Sequence, residues 1–466
     1  MLQKIIGMKT QTYFNTGEGD SIQPIDIGHR DYTCLVSADT AFWALVRKDR
    51  LASAQAGSSL LSEYRKKAKT FLGGMNTLRF KLKPSAVYFN PTDRCNLDCC
   101  YCYIPADLRK NGTHMSALKL SKALGILKNY FKPSLSRGQK PQIIFHGAEP
   151  LLNKQAVFTA IDRYEKDFRF GIQTNGTLLD GNALEFLTSR GISIGLSLDG
   201  HIHSVADRLR RNWNGEGVSR KVIEVMSRLK GYRNYSVICT VTRKNMSSQA
   251  KIVEFFHRME VPMCMLNPVR CTLPGGYKQK PSDEKAATHY LKALDHAYNL
   301  YQKSNRKLVV ANFANVLISI LAPTARRLMC DISPCGAGRC FFAISSKGNM
   351  FPCSEFIGIK KFRGGNIFRD DIRAVLKTAP FKSVTERRIE DITPCSRCAI
   401  RHFCGAPCPA EAWTINGSMV SRGAFCRFYE EQVRYAFRVI ADNKEGAYLW
   451  DEWDKDTLTT FDITRK

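Results

Sequence analysis

Cys95, Cys99 and Cys102 stand at C-x3-C-x2-C spacing within one short run from Asn90 to Tyr103. Three thiolates on one loop cannot by themselves close the four-coordinate site that structural zinc prefers. They can hold three irons of a four-iron cluster and leave the fourth iron open to a ligand, whereas a closed cluster uses four thiolates. Cysteines concentrate again toward the C-terminus. Cys395, Cys398, Cys404 and Cys408 read C-x2-C-x5-C-x3-C and are followed by Cys426, while upstream Cys330, Cys335 and Cys340 lead through Gly348 to Cys353, so that Cys335 to Cys353 reads C-x12-G-x4-C. Fully ligated clusters have no open iron and are left with electron transfer or structural support. Paired C-x2-C motifs equally suit structural zinc. Cys34, Cys239, Cys264 and Cys271 lie in mixed or apolar runs and read as small buried hydrophobes. Cys100, wedged between two ligands, reads as a bystander pointing away.

The first cysteine run must be carried by a strand end. From about residue 84 to 270, short β-rich runs alternate with amphipathic stretches, the pattern of βα units and a parallel sheet. The spacing predicts strands at Ala86 to Asn90, Gln142 to His146, Phe170 to Thr174, Ser193 to Leu198, Ser236 to Val241 and Met263 to Pro268. Between the first two, Leu120, Leu124, Leu127 and Phe131 recur at helical spacing behind Ser116 as N-cap. The reading is an α/β fold, a partial (β/α)6 TIM-like barrel, whose chemistry belongs at the carboxyl ends of the strands. Residues 1–82 form a region of unreadable role, with a strand at Tyr32 to Ser37 and a basic helix near Leu60 to Phe71. Residues 83–281 are the barrel, and 282–329 a helical linker with helices at Ser282 to Ser304 and Ala311 to Leu321. Residues 330–430 hold the second cysteine set, and 431–466 a terminal helix and tail. In 466 residues, 44% are hydrophobic and 24% charged, which excludes disorder and collagen-like repetition. No apolar run reaches the roughly 18 residues of a membrane span, and no signal peptide opens the chain. A soluble cytoplasmic protein is expected, in which 17 cysteines are ligands or reactive thiols rather than a disulfide framework.

The ordered motifs resemble the radical S-adenosylmethionine (SAM) superfamily, in which three such cysteines bind a [4Fe-4S] cluster and SAM occupies its open iron. His146-Gly147-Ala148-Glu149-Pro150 after the second strand is similar to the family's Gly-Gly-Glu-Pro motif, which recognises the SAM amino group; Ala148 replaces one glycine. Gln173 to Gly176 after the third strand and Ser197 to Gly200 after the fourth match the motifs that line the SAM pocket. The resemblance thus implies cofactor contacts from Tyr101, His146, Gly147, Ala148, Glu149, Gln173, Asn175, Ser197 and Asp199, with Arg210 paired to the SAM carboxylate. The C-terminal set resembles the SPASM extension of peptide maturases, which houses two auxiliary [4Fe-4S] clusters, with paired zinc sites as the rival. By that likeness one auxiliary cluster takes Cys395, Cys398, Cys404 and Cys426. The other takes Cys335, Cys353, Cys408 and either Cys330 or Cys340, Cys330 being favoured.

Three clusters and SAM are implied, and a radical reaction on a ribosomally made peptide or protein, forming a crosslink or oxidising a side chain. The likeness is nearest the sulfatase-maturating branch, with one departure. That branch carries a catalytic aspartate directly after the third upstream cysteine, where this chain has Ser354 and then Glu355. Glu355 is the candidate base, and a peptide maturase of another outcome is the better expectation. Lys and Arg number 70 against 42 acids, a formal charge of +28, which favours an acidic leader peptide and an acidic ferredoxin- or flavodoxin-type electron donor. Nucleic acid is disfavoured because the basic residues are dispersed and no RNA-binding module is present. Radical chemistry on RNA or a small cofactor precursor, and a non-catalytic zinc-ribbon binding protein, are the competing readings.

Overall fold

The computed structural model describes residues 14–15, 21–52, 58–451 and 453. It begins with an antiparallel sheet of β1 (Phe14–Asn15), β2 (Ser21–Ile25), β3 (Tyr32–Ser37) and β4 (Trp43–Arg47), paired in that order. The expected basic helix is longer than its apolar spacing suggested, running Ser58–Asn76. Leu60, Tyr64 and Ala68 recur every four residues and close a small core with Ile22, Leu35 and Phe42. Trp43 fastens this module to the rest through its indole N–H, which donates to the Ile320 carbonyl at 2.9 Å.

The second sheet has ten strands. Its centre is β5 (Ala86–Phe89), β6 (Gln142–Phe145), β7 (Arg169–Thr174), β8 (Ser193–Ser197), β9 (Tyr235–Val241) and β10 (Met263–Pro268), side by side in chain order and all parallel. These are the expected strands, shifted by at most one residue at their ends. Val87, Phe89, Ile143, Phe145, Ile172 and Leu196 are buried in one continuous core. Sequential parallel strands need covering helices, and the chain supplies them with local stop and start signals. Ser116 caps Ala117–Tyr130 through the Lys119 amide at 3.3 Å. Asp180 caps Gly181–Ser189 through the Ala183 amide at 2.8 Å.

Two features extend this plan. The expected linker contributes β11 (Val309–Val310), parallel to β10, besides the helices Asp283–Ser304 and Ala311–Leu321. On the opposite edge β12 (Phe341–Ile344), from the second cysteine segment, pairs parallel with β5, and β13 (Asn349–Phe351) and β14 (Gly365–Asn366) continue antiparallel. The cysteine-rich segment is therefore hydrogen-bonded into the barrel sheet beside the strand that feeds the first cysteine loop. A helix Cys426–Ala441 closes the far side, its Tyr435 hydroxyl donating to Asp295 at 2.6 Å.

Candidate active site

Because β5 to β10 run parallel and in register, Asn90, His146, Asn175 and Leu198 all leave the sheet at one rim. The cysteine loop starts there. Its path is held from outside by the segment Leu209–Trp213, which lies antiparallel to it. Cys100 N–H donates to the Leu209 carbonyl at 3.3 Å and Asp98 N–H to Arg211 at 2.7 Å. The Trp213 indole donates to the Cys95 carbonyl at 2.8 Å. Buried Arg109 donates to the carbonyls of Leu97 at 2.9 Å and Ile104 at 3.0 Å, and pairs with Asp98 at 3.0 Å. Cys95, Cys99 and Cys102 are half-buried, whereas Cys100 is exposed. Cys34, Cys239, Cys264 and Cys271 are buried.

At the end of β6 the chain turns through Gly147 at φ +98°, and a Cβ there would lie 2.1 Å from the Asn90 amide, so glycine is required. Glu149 is fully buried. Its Oε1 accepts from the Thr174 hydroxyl at 2.7 Å and the Leu151 amide at 3.1 Å, and its Oε2 from the Asn175 amide at 2.8 Å. Burial pushes its pKa up while these three donors pull it down. A carboxylate offers about four acceptor positions, so one remains for a ligand cation; the principal work of Glu149 here is to lock the ends of β6 and β7 together. Asn175 reaches the other way, its amide donating to Asn96 at 2.9 Å and lying 3.8 Å from the Cys95 sulfur.

Asp199, also fully buried, accepts from the Thr240 amide at 2.7 Å and from the Tyr101 phenol. Arg210 Nη1 donates to the same phenol at 2.7 Å and lies 3.7 Å from Asp199. The structure thus brings Tyr101, Asp199 and Arg210 into one network across the cysteine loop. Arg210 Nε and Asn90 Oδ1 are buried without a protein partner, which leaves a cationic donor and an acceptor for a polar ligand. With the remaining Glu149 position, this donor set fits an amino-acid moiety such as that of SAM. His146 lies between Tyr88 and Tyr103, and burial lowers its pKa to about 4, so it is a neutral imidazole. Gln173, Ser197 and Ala148 are half-buried at the same rim.

The C-terminal thiols fall into two groups. Cys395, Cys398, Cys404 and Cys426 lie within mutual electrostatic reach. Cys335 acts on Cys330, and both act on Cys353. Cys408, at φ +57°, shares the neighbours Arg270 and Glu355 with Cys330. Cys340 is fully buried, and Cys335 is the one thiol that bears on it. Among the described residues no three His, Cys, Asp or Glu side chains converge as ligands of a single ion do.

Glu355 stands between these groups and the first loop. Its charge is felt by Cys102 and Tyr103 on one side and by Cys353 and Cys408 on the other. Oε1 is 3.9 Å from Arg270 Nε, and Oε2 has no partner. Burial pushes its pKa up to about 7 against the pull of Arg270, with Glu411 adding to the rise. Arg270, Glu411, Arg109 and Trp213 have no local sequence signature: each is a single residue whose partners are far away in the chain or hidden in backbone carbonyls.

A parallel α/β sheet with an open-sided cysteine loop at its carboxyl rim, joined to a second cysteine-rich segment, defines a class of cluster-bearing enzyme. Residues 89–256 match the Radical SAM superfamily and residues 335–399 the SPASM iron-sulfur cluster-binding domain. The chain belongs to the radical SAM superfamily and carries a SPASM domain. An uncharacterized protein of Archaeoglobus fulgidus is 37% identical over 87% of this chain and 92% of its own length. A cysteine-type anaerobic sulfatase-maturating enzyme of Clostridium perfringens is 24% identical over 76% of this chain and 97% of its own. An AdoMet-dependent heme synthase of Methanosarcina barkeri is 25% identical over 74% and 96%. The fold is shared with the solved structure of native anSMEcpe with bound AdoMet, at TM-score 0.67 and 20% identity over 78% of this chain and 100% of that one. It is shared also with Streptococcus suis SuiB bound to the precursor peptide SuiA, at TM-score 0.56 and 12% identity over 84% and 96%.

Proposed function

We propose that this enzyme modifies a peptide or protein side chain after removing a hydrogen atom from it, with three [4Fe-4S] clusters and SAM as cofactors. The observation that carries the reading is Glu355, whose Oε2 has no partner and whose charge is felt by Cys102 on the barrel loop and by Cys353 and Cys408 on the SPASM segment. When bound, the first cluster and SAM supply a carbon radical able to take hydrogen from an unactivated C–H bond. The chain's own residues do the rest. Cys95, Cys99 and Cys102 hold three irons. Glu149 and Asn175 fix the loop against the strand ends, and Arg210, with Tyr101 and Asp199, offers the SAM carboxylate a buried cation. Glu355 would take the proton released as the substrate radical loses its electron, for which the auxiliary cluster that Cys335, Cys353, Cys408 and Cys330 would hold is the acceptor. Cys335, Cys353, Cys408 and Cys330 hold one auxiliary cluster, and Cys395, Cys398, Cys404 and Cys426 the other. Cys330 is preferred to Cys340 because it lies within electrostatic reach of both Cys335 and Cys353. The charge of +28 supports an acidic one-electron donor and an acidic leader, and a cytoplasmic setting is consistent with reducing, oxygen-sensitive cofactors.

The named relatives act on different substrate classes, a sulfatase and a heme precursor by their printed names, so a small cofactor precursor is the second reading. Anaerobic reconstitution with iron and sulfide counting tests both. About twelve irons per chain are expected, falling to about eight with complete loss of 5′-deoxyadenosine in the Cys95→Ala/Cys99→Ala/Cys102→Ala variant. Deuterium from a side-chain-labelled acidic candidate peptide should appear in 5′-deoxyadenosine. Transfer from a labelled heme precursor instead would establish the second reading, and zinc with intact SAM would end both.

A further inference from the structure

Arg109 and Trp213 both bond the backbone of the first cysteine loop and pack against each other. The Trp213 indole N–H bonds the Cys95 carbonyl at 2.8 Å. Arg109 spends its fork on Leu97 and Ile104, the backbone between and just beyond the ligands, and lies 5.2 Å from the centre of the Trp213 ring. It is only 6% exposed, and its single carboxylate partner, Asp98, is 48% exposed. A guanidinium so placed is a weakly compensated buried positive charge beside the thiols. The charge sits against the ligand loop itself: the guanidinium bonds backbone on either side of Cys99 and Cys102 and pairs with Asp98, next to Cys99, while the Arg109 carbonyl accepts from the Cys95 amide at 2.8 Å.

We propose that Arg109 and Trp213 are positioning residues for the SAM-binding cluster, Trp213 fixing the path of the loop at Cys95 and Arg109 holding a positive charge beside Cys99 and Cys102 that makes the cluster easier to reduce. A nearby cation stabilises the more negative, reduced cluster and so raises its potential. The proposal rests on the assignment of Cys95, Cys99 and Cys102 as ligands, which the iron count of the triple alanine variant tests separately.

The experiment is an anaerobic redox titration of the reconstituted holoenzyme, following the reduced-cluster electron paramagnetic resonance signal that changes on adding SAM. Arg109→Gln at full iron content should shift the midpoint of that signal to more negative potential, while Arg109→Lys, which keeps the charge, should stay near the parent. Asp98→Asn removes only the exposed counter-charge and should shift it the opposite way, which keeps the test decisive where Arg109→Gln fails to fold. Trp213→Phe keeps the ring but loses the N–H and should release iron from this cluster faster to a chelator, with the potential unmoved. A purely structural role predicts lower iron content and melting temperature with no potential shift in any loaded variant. An unshifted midpoint in Asp98→Asn and in loaded Arg109→Gln overturns the charge role, and chelation of Trp213→Phe at the parental rate overturns the positioning role.

Discussion

At the scale of single residues, this site depends on carboxylates whose surroundings assign them different work. Glu149 and Asp199 are fully buried and already accept from protein donors, so they organise the pocket. Glu355 has a bare Oε2 and a partner no nearer than 3.9 Å, so it is free to accept a proton. Glu355→Gln preserves shape and removes that capacity. Iron content and SAM cleavage should persist while formation of modified product falls by roughly 10²-fold, within the range of a lost general base; product and 5′-deoxyadenosine measured in the same assay separate the two. Retained product formation would transfer the role to another group. The glutamate one step beyond the family's aspartate position was visible in the sequence, but Arg270 and Glu411 were not. They come from β10's end and from the helix Pro409–Asn416, and only folding brings them beside it.

At the scale of elements, the parallel strands were legible because strands covered on both faces are near-continuous apolar runs with turn residues at their ends. The helix starts were equally legible from capping chemistry. Asp180, which caps Gly181–Ser189, tests this locally: Asp180→Ala should cost about 1 kcal/mol, and Asp180→Asn should recover most of it, read by thermal melting of the reconstituted protein. Equal destabilisation by both variants would place the effect in the Lys154 ion pair at 2.7 Å instead. The N-terminal sheet was less legible. Pro24 within β2 argues against a strand, yet the strand forms because β3 pairs beside it and its Ile22 enters a core with Leu35 and Tyr64.

At the scale of the whole molecule, the SPASM segment is an extension of the barrel sheet. β12 adds to β5 and β13 turns back beside β12, so the segment leading to Cys353 is two strands from the one that feeds the loop holding Cys95 to Cys102. The cysteines of the last group connect distant pieces, the turn at Cys395–Cys404 and the helix Cys426–Ala441. A cluster held there would tie the C-terminal helix to the segment, and its binding energy would become folding energy. Cys398→Ala is therefore expected to lose about four irons, to lower the melting temperature, and to increase protease cleavage between residues 395 and 426. An unchanged melting temperature with four irons missing would mean that this site serves electron transfer without supporting the fold.

The cysteine spacing, the strand ends that carry the motifs and the family all follow from local order along the chain, since ligand loops, caps and apolar runs are short-range patterns. The contacts of Glu355, the Tyr101–Asp199–Arg210 network, the grip of Arg109 and Trp213 and the pairing of β12 with β5 do not. Each joins residues far apart in the chain or a side chain to a backbone carbonyl, and such contacts exist only once the sheet has set the distances between its strand ends.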